Sequence, residues 1–249
     1  VVLGDGAEFT GTALRLPGGD PVEAAYGDLP NGLISGLQDV TIESWTTTEG
    51  DQNWARIFDF GSNSPGGEDG ELLGPGDDNG GDGQGLDYFL LSASRGGNSN
   101  DHRVELRNED PAGGGVTTLD ATIDKGALPN ESHFAVVYDA DGIQSRDFGG
   151  NVTGEAPVIR LYFNGEFVGE QETDIALSDI NDVNNWLGRS NWTVDANFQG
   201  TFDEFRIYDY ALNQDEILGS HEAGPETLDI LEVMSGDCNN DSIVSTDDL

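Results

Sequence analysis

The stretch that decides the fold is WLGRSNWTVDANFQGTFDEFRIYDYALNQDEI, residues 186–217. Within it, apolar and polar residues alternate over residues 202–208 (FDEFRIY), and a period of two indicates a strand with one buried face. The next segment, residues 213–216 (NQDE), has the form of a capping box, in which the Asn side chain caps the first helical turn and the Glu side chain returns to the Asn backbone. We therefore expect a strand followed by one short helix that ends near Ser220.

The rest of the chain is predicted to form a series of short strands. VTIESW (40–45) alternates in the same way, and five similar runs follow it: RIFDF (56–60), YFLL (88–91), RVELR (103–107), FAVVY (134–138) and VIRLYF (158–163). Asn164-Gly165 is the dipeptide favoured in a two-residue hairpin turn and predicts a return strand at residues 166–170. Many short strands without helical periods between them predict an all-β fold, a two-sheet antiparallel sandwich with one short C-terminal helix.

Charge is the strongest compositional feature. Acidic residues number 48 and basic residues 10, which gives a formal net charge of −38. This sign excludes nucleic acid as a partner, because phosphates require a basic surface. Two compatible interpretations remain: a solvated acidic coat, as in secreted proteins of salty environments, and carboxylates that collect divalent cations.

Three further features concern compartment and covalent chemistry. No run of about 18 apolar residues occurs, so we expect no membrane insertion. The chain opens at Val1 as a mature form would after removal of a leader, which favours a secreted or cell-surface protein. The single cysteine, Cys238, excludes an internal disulfide framework and cysteine-based zinc sites.

Three segments together resemble a known family: the VTIESW strand, the hairpin HFAVVYDADG…IRLYFNGEFVGE, and residues 186–217. They resemble the laminin-G-like jelly-roll family of the concanavalin A-like lectin/glucanase superfamily. Residues 186–217 are the most specific part, with Leu-Gly-Arg-Ser, a tryptophan, a Phe-x-Gly turn, Asp-Glu-x-Arg-Ile-Tyr and then Ala-Leu before a short helix. The resemblance covers roughly residues 3–220. It implies two curved antiparallel sheets in a secreted, usually non-catalytic protein that binds carbohydrate or another protein.

The resemblance also implies a structural calcium ion. In related proteins an Asp on the final strand coordinates it together with groups from the N-terminal strand. The matching position here is Asp203, and Glu8 is the N-terminal candidate. Such an ion would join both ends of the sandwich, since its first and last strands are neighbours. The alternative is that Asp203 caps a strand turn and faces water.

The terminal stretch DCNNDSIVSTDD has the spacing of a calcium-binding loop. Counted from position 1, oxygen ligands fall at alternating positions and at position 12: Asp237, Asn239, Asp241, the carbonyl of Ile243, Ser245 and Asp248. Each second residue of such a loop turns an oxygen toward one Ca²⁺ ion. The stretch resembles the first half of a dockerin repeat, although Ser242 stands where Gly is expected. The alternative is a chance match in a very acidic chain.

These features divide the chain into three parts. We predict a sandwich domain at residues 1–222, a linker at 223–236, and a partial dockerin-like, EF-hand-type calcium loop at 237–249. Within the sandwich, the Gly/Asp-rich segment 66–85 has few side chains to bury and is expected to form a loop between strands.

The sequence does not have the catalytic pattern of the superfamily's glucanases. Those enzymes carry Glu-x-Asp-x-x-Glu on one strand, which brings an acid and a nucleophile together. No such run occurs here: Glu43 stands alone in its strand, and regular alternation would point Asp203 and Glu204 to opposite faces. We therefore predict that the protein is not an enzyme.

Four tryptophans are the candidates for contact with a sugar, whose CH faces lie on aromatic rings as hydrophobic surfaces do. We expect Trp45 and Trp186 to pack in the core. Trp54 and Trp192 lie in the polar segments QNWAR and RSNWT, and either form a ligand rim or close the end of the sandwich. The predicted ligand-binding residues are Trp54, Arg56, Arg189, Asn191 and Trp192.

Together these observations favour a secreted, calcium-stabilised, non-catalytic module that recognises carbohydrate or an extracellular protein. The alternative is a structural subunit of an extracellular fibre or surface layer, a homo-oligomer whose acidic faces are bridged by calcium ions.

Overall fold

A computed structural model describes residues 1–63, 71–72, 74–77, 84–109, 114–146, 148 and 152–227. Within them the chain forms two seven-stranded sheets whose neighbouring strands pair antiparallel, and one C-terminal helix. Sheet 1 contains, in spatial order, β1 (Val2–Leu3), β4 (Tyr26–Leu29), β13 (Asn184–Leu187), β6 (Arg56–Ser62), β7 (Asp87–Ser92), β8 (Asp101–Asn108) and β9 (Gly115–Thr122). Sheet 2 contains β12 (Glu166–Glu172), β11 (Val152–Phe163), β10 (Asn130–Arg146), β5 (Val40–Thr48), β14 (Asn197–Tyr208), β3 (Leu14–Gly19) and β2 (Glu8–Phe9). The predicted all-β sandwich is confirmed.

The core lies between the two sheets and follows from the period-two alternation of the strands. On β5, Val40 and Ile42 point into it, while Thr41 and Glu43 make their hydrogen bonds on the opposite face. The inward side chains form one continuous apolar cluster, and burying a large apolar side chain in such a cluster contributes roughly 1.5–3 kcal/mol. The members from sheet 1 include Phe58, Phe60, Phe89, Leu91, Val104 and Leu106.

The predicted hairpin joins β11 to β12. Asn164 and Gly165 both have positive φ, 49° and 79°, which is the conformation that a primed two-residue turn requires. Asn164 also accepts a hydrogen bond from the backbone N–H of His133 through its side-chain oxygen (2.9 Å). The turn is therefore tied to the neighbouring strand β10.

The single helix, α1 (Gln214–Ala223), begins at the predicted capping box and runs three residues beyond the predicted end. The side-chain oxygen of Asn213 accepts from the backbone N–H groups of Asp215 and Glu216 (2.9 and 3.1 Å), and Glu216 accepts from the Asn213 backbone N–H (2.8 Å). Ile217 of the helix and the preceding Leu212 pack on the outer face of sheet 2, against Ala135, Val137 and Tyr162. This part of the outer face of sheet 2 is therefore covered.

Some predictions fall outside the described residues. The loop 237–249 and most of the linker 223–236 lie beyond residue 227, and so does Cys238. Only parts of segment 66–85 are described. One of them corrects the expectation that this segment buries little, because Leu72 is buried against Tyr26 and Trp186. Among the described residues, no helix has the length and apolar character needed to cross a bilayer.

Candidate functional site

A cavity of about 320 Å³ opens on the outer face of sheet 1. Its floor consists of alternate residues of β7 and β8. Phe89 and Leu91 point into the core, so Tyr88 and Leu90 point outward. The same alternation on β8 buries Val104 and Leu106 in the core and places three charged side chains on the outer face: Arg103, Glu105 and Arg107.

Two loops raise the walls of the cavity. Trp54 comes from the loop before β6, and Trp192 and Asp195 come from the loop between β13 and β14. The backbone N–H of Ala196 donates to the carbonyl of Asn53 (3.3 Å), which joins the two loops. The cavity thus has an indole on each loop.

Trp54 is held in an unfavourable backbone conformation. Its φ is +57°, in the left-handed region that bulky side chains rarely adopt. The backbone N–H of Trp54 donates to the carbonyl of Ser94 (3.0 Å), and the side chain of Arg56 donates to the carbonyl of Trp54. The guanidinium groups of Arg103 and Arg56 lie 5.4 and 5.7 Å from its ring centroid. Backbone strain of this kind is found preferentially at functional sites.

Trp192 is fixed by hydrogen bonds and by close packing. Its indole N–H donates to the hydroxyl of Tyr88 (3.2 Å), and its backbone N–H donates to the hydroxyl of Ser190 (3.0 Å). The guanidinium of Arg107 lies 5.5 Å from the ring centroid. Gly85 leaves room for the ring, since a Cβ there would lie 2.9 Å from Trp192 Cδ1.

A hydrogen-bond chain runs along the floor. The Tyr88 hydroxyl donates to Glu105 (2.6 Å), and Arg103 donates to the other oxygen of Glu105 (3.0 Å). Arg103 also binds both oxygens of Asp120, at 2.7 and 2.9 Å. Burial, followed by the charge of Glu105, raises the pKa of Tyr88 well above its ordinary value, so the phenol remains a hydrogen-bond donor at neutral pH.

Beneath the cavity, two carboxylates share one arginine. Arg56 donates to Asp195 (2.9 Å) and lies 3.4 Å from Asp59. Asp59 is fully buried and accepts from the backbone N–H and the side-chain amide of Asn191 (3.0 and 2.8 Å). Burial raises the pKa of Asp59 to about 6, and it also raises the pKa of Asp195. This buried network holds the two loops that carry Trp54 and Trp192.

A family model described as the concanavalin A-like lectin/glucanases superfamily, Laminin_G_3, matches residues 21–218. The chain belongs to this family. No relative was found among curated proteins.

Solved structures with the same superfamily architecture include saccharide-binding and protein-binding domains. One is the CBM40 domain of the Ruminococcus gnavus IT-sialidase bound to α2,3-sialyllactose, with 19% identity, a TM-score of 0.56 and coverage of 86% of this chain and 98% of that one. Domain 4 of the Geobacillus stearothermophilus arabinanase AbnA, in complex with arabinotriose, has 18% identity and a TM-score of 0.50 over 88% and 85%. The binding domain of botulinum neurotoxin DC, in complex with rat synaptotagmin II, has 11% identity and a TM-score of 0.56 over 90% and 46%. At these identities the likeness shows the fold.

In this laminin-G-like domain, three of the five predicted ligand-binding residues meet in the cavity: Trp54, Arg56 and Trp192. Arg189 does not line it. Its side chain is buried between the rings of Tyr26 and Trp186, 4.6 and 4.3 Å from their centroids, and donates to the carbonyls of Gly74 and Asp77. Asn191 is also buried and supports Asp59 from below.

Six residues that line the cavity were not predicted from the sequence. They are Leu90 on the floor and five polar or charged residues: Tyr88, Arg103, Glu105, Arg107 and Asp195. The predicted strand RVELR did contain a signal, because alternation places its three charged residues on one face. The other two tryptophans are buried, but they lie on the outer faces of the sheets and not, as expected, in the core between them. Trp186 packs edge-on against Tyr26 in sheet 1, and Trp45 lies against His133 on sheet 2.

The predicted calcium ligands Glu8 and Asp203 lie on β2 and β14, which both flank β3 in sheet 2. Glu8 is largely exposed and lies 3.7 Å from Arg15. Asp203 lies at a register shift between Phe202 and Glu204, where regular alternation is interrupted, and it lines a separate cavity together with Glu204. Burial and the charges of Glu131 and Glu226 raise the pKa of Asp203.

Within the ranges that the structure describes, no group of three or more His, Cys, Asp and Glu side chains is arranged to hold a metal ion. Two carboxylates alone do not make such a group, and Ca²⁺ also accepts backbone carbonyls and waters, so calcium binding by Glu8 and Asp203 stays a prediction. The six predicted ligands of the terminal loop lie outside the described residues: Asp237, Asn239, Asp241, Ile243, Ser245 and Asp248.

Proposed function

We propose that the protein is a non-catalytic module that binds carbohydrate in the cavity between Trp54 and Trp192. The observation that carries the proposal is the pair of partly exposed indoles standing above a polar floor. A sugar ring presents apolar CH faces to aromatic rings and hydroxyl groups to polar side chains. Both kinds of surface are present in this cavity, and its volume of about 320 Å³ lies within the usual range for ligand sites.

The solved relatives support this function. Two of the three described above hold saccharides, sialyllactose and arabinotriose, while the third binds the protein synaptotagmin II. The carboxylates of the cavity also favour binding over catalysis. Glu105 and Asp195 are each held by an arginine and a hydroxyl group, which gives both carboxylates a structural role in the cavity lining.

The test is a glycan array followed by isothermal titration of the best ligand against the wild-type protein, Trp54→Ala and Trp192→Ala. Each substitution is expected to weaken binding about tenfold, since an aromatic contact is worth roughly 0.5–1.5 kcal/mol beyond the apolar area that it buries. Phe167→Ala is the matched control, because Phe167 is an exposed aromatic residue on β12, in the other sheet. Binding that survives both tryptophan substitutions would contradict this site.

We also propose that the module is secreted and that its terminal loop, residues 237–248, binds calcium. The alternating oxygen donors of that loop support the proposal. Calcium titration of the full chain should show one binding event that Asp241→Asn weakens and Asp20→Asn leaves unchanged. Equal calcium binding by Asp241→Asn and the wild type would contradict the assignment to this loop.

A further inference from the structure

We propose that the saccharide bound by this cavity carries an acidic group, a carboxylate or a sulfate, and that Arg107 and Arg103 bind that group. The inference rests on the proposed function and specifies the class of its ligand.

The cavity is unusual in its charge. The whole chain has ten basic residues against 48 acidic ones, yet three of the ten line this cavity: Arg56, Arg103 and Arg107. Two carboxylates face them, so cations outnumber anions in the lining. Four other cavities in the described part of the chain are lined by Asp or Glu and contain no Arg or Lys. Each of these arginines also pairs with a carboxylate that does not line the cavity, namely Asp59, Asp120 or Glu109, so the excess of cations is confined to the lining itself.

The two carboxylates of the cavity already accept hydrogen bonds from neighbouring side chains. Glu105 accepts from the Tyr88 hydroxyl at 2.6 Å and from Arg103 at 3.0 Å. Asp195 accepts from Arg56 at 2.9 Å and from the Ser190 hydroxyl at 3.2 Å. Each carboxylate therefore helps to hold the cavity lining in place, and because both bonds to Asp195 end on Oδ2, its Oδ1 keeps acceptor capacity for a ligand hydroxyl.

The donors are only partly used. A guanidinium has five N–H groups. Arg107 donates from one terminal nitrogen to the Tyr88 hydroxyl, at a long 3.4 Å, and pairs through the other with Glu109, while its buried Nε has no hydrogen-bond partner. Arg103 uses three N–H groups, two on Asp120 and one on Glu105. The side chains of Arg107 and Arg103 remain 17% and 26% exposed, whereas that of Arg56 is 4% exposed and is committed to the buried network.

The position of these arginines suits a charged sugar. Arg107 lies 5.5 Å from the Trp192 ring centroid and Arg103 lies 5.4 Å from that of Trp54. A pyranose beside either indole would therefore bring a ring substituent next to a guanidinium. The planar fork of arginine binds carboxylate and sulfate oxygens in pairs, and such charge-assisted hydrogen bonds are about twice as strong as neutral ones.

The experiment compares saccharides that differ only in the acidic group: trigalacturonate with its methyl ester, sialyllactose with its methyl ester, and sulfated with unsulfated N-acetyllactosamine. The acidic member of at least one pair should bind about tenfold or more tightly than its neutral partner. Arg107→Gln should lower the affinity for the acidic member more than the affinity for its neutral partner and so remove the preference, and Arg107→Lys should keep part of it.

Arg160→Gln is the matched control, because Arg160 is a partly exposed arginine that pairs with two carboxylates on sheet 2, away from the cavity. It should leave the preference unchanged. Equal binding of acidic and neutral members, still dependent on Trp54 and Trp192, would overturn this inference and leave the proposed function standing. No binding of any saccharide would overturn both.

Discussion

The buried carboxylate beneath the cavity should make the stability of the protein depend on pH. Asp59 is fully buried, and its folded-state pKa is about 6 against an ordinary value of 3.8. Because burial raises the pKa, the folded state prefers the protonated form. The contribution of Asp59 to stability is therefore fully present below pH 3.8 and is lost as the pH rises through about 6.

The magnitude follows from the difference between the two pKa values. The folded-state pKa is higher by about 2, and each pKa unit corresponds to about 1.4 kcal/mol, so the loss across the whole transition is about 3 kcal/mol. About two-thirds of this loss of stability should occur between about pH 4.5 and pH 7.5, a range in which most other carboxylates are already ionised. A typical domain has a free energy of unfolding of about 5–15 kcal/mol, so the effect is measurable.

The assay is urea unfolding of the wild type and Asp59→Asn across this pH range at constant ionic strength. The free energy of unfolding of the wild type should fall relative to that of the variant by about 2 kcal/mol as the pH rises. Asp120→Asn is the control. Arg103 lowers the pKa of Asp120, so the contribution of Asp120 to stability is already complete above pH 3.8. The difference in free energy of unfolding between the wild type and Asp120→Asn should therefore not change with pH. Parallel pH profiles for the wild type and Asp59→Asn would refute the reasoning.

Three other substitutions test the walls of the site. Because Trp54 has a left-handed backbone, Trp54→Gly should be about 1 kcal/mol more stable than Trp54→Ala in urea unfolding, the reverse of the usual order, and the usual order would contradict the strain. Gly85→Ala should push against Trp192, with a cost of about 1–3 kcal/mol in stability and weaker saccharide binding; unchanged affinity by titration would show that the ring is free to move. Arg189→Met should lower the free energy of unfolding by about 2–4 kcal/mol, since it removes two hydrogen bonds and two cation–π contacts. It should leave the affinity for the saccharide unchanged. Weaker saccharide binding by the folded variant would instead identify Arg189 as a ligand contact.

The sequence was sufficient for the elements whose signals are local. Alternation located most of the long strands of both sheets, although not β9, and the helix start and the hairpin turn depend on residues within one or two turns of each other. β13 was not predicted, because its local sequence pattern does not indicate a strand. Its sequence, NNWL, is half polar, and its two asparagines are buried where groups distant in the chain bond them: Asn184 accepts from the backbone N–H of Leu72, and Asn185 donates to the carbonyl of Pro30.

The site itself depended on contacts between distant parts of the chain. The polar neighbours of Trp54 and Trp192 indicated exposed aromatic residues, and the structure brings both to one cavity. The same argument selected Arg189, since its sequence neighbours are equally polar. Its burial is explained by aromatic rings on β4 and β13, and the pairing of those strands is invisible to a local pattern.

The four tryptophans provide the most direct test of the central claim, because two line the cavity and two are buried elsewhere. The measurement is a saccharide titration followed by the indole N–H signals in the NMR spectrum of ¹⁵N-labelled protein. Binding should move the signals of Trp54 and Trp192 and leave those of Trp45 and Trp186 in place. Saturable binding that leaves the signals of Trp54 and Trp192 unmoved would contradict the account.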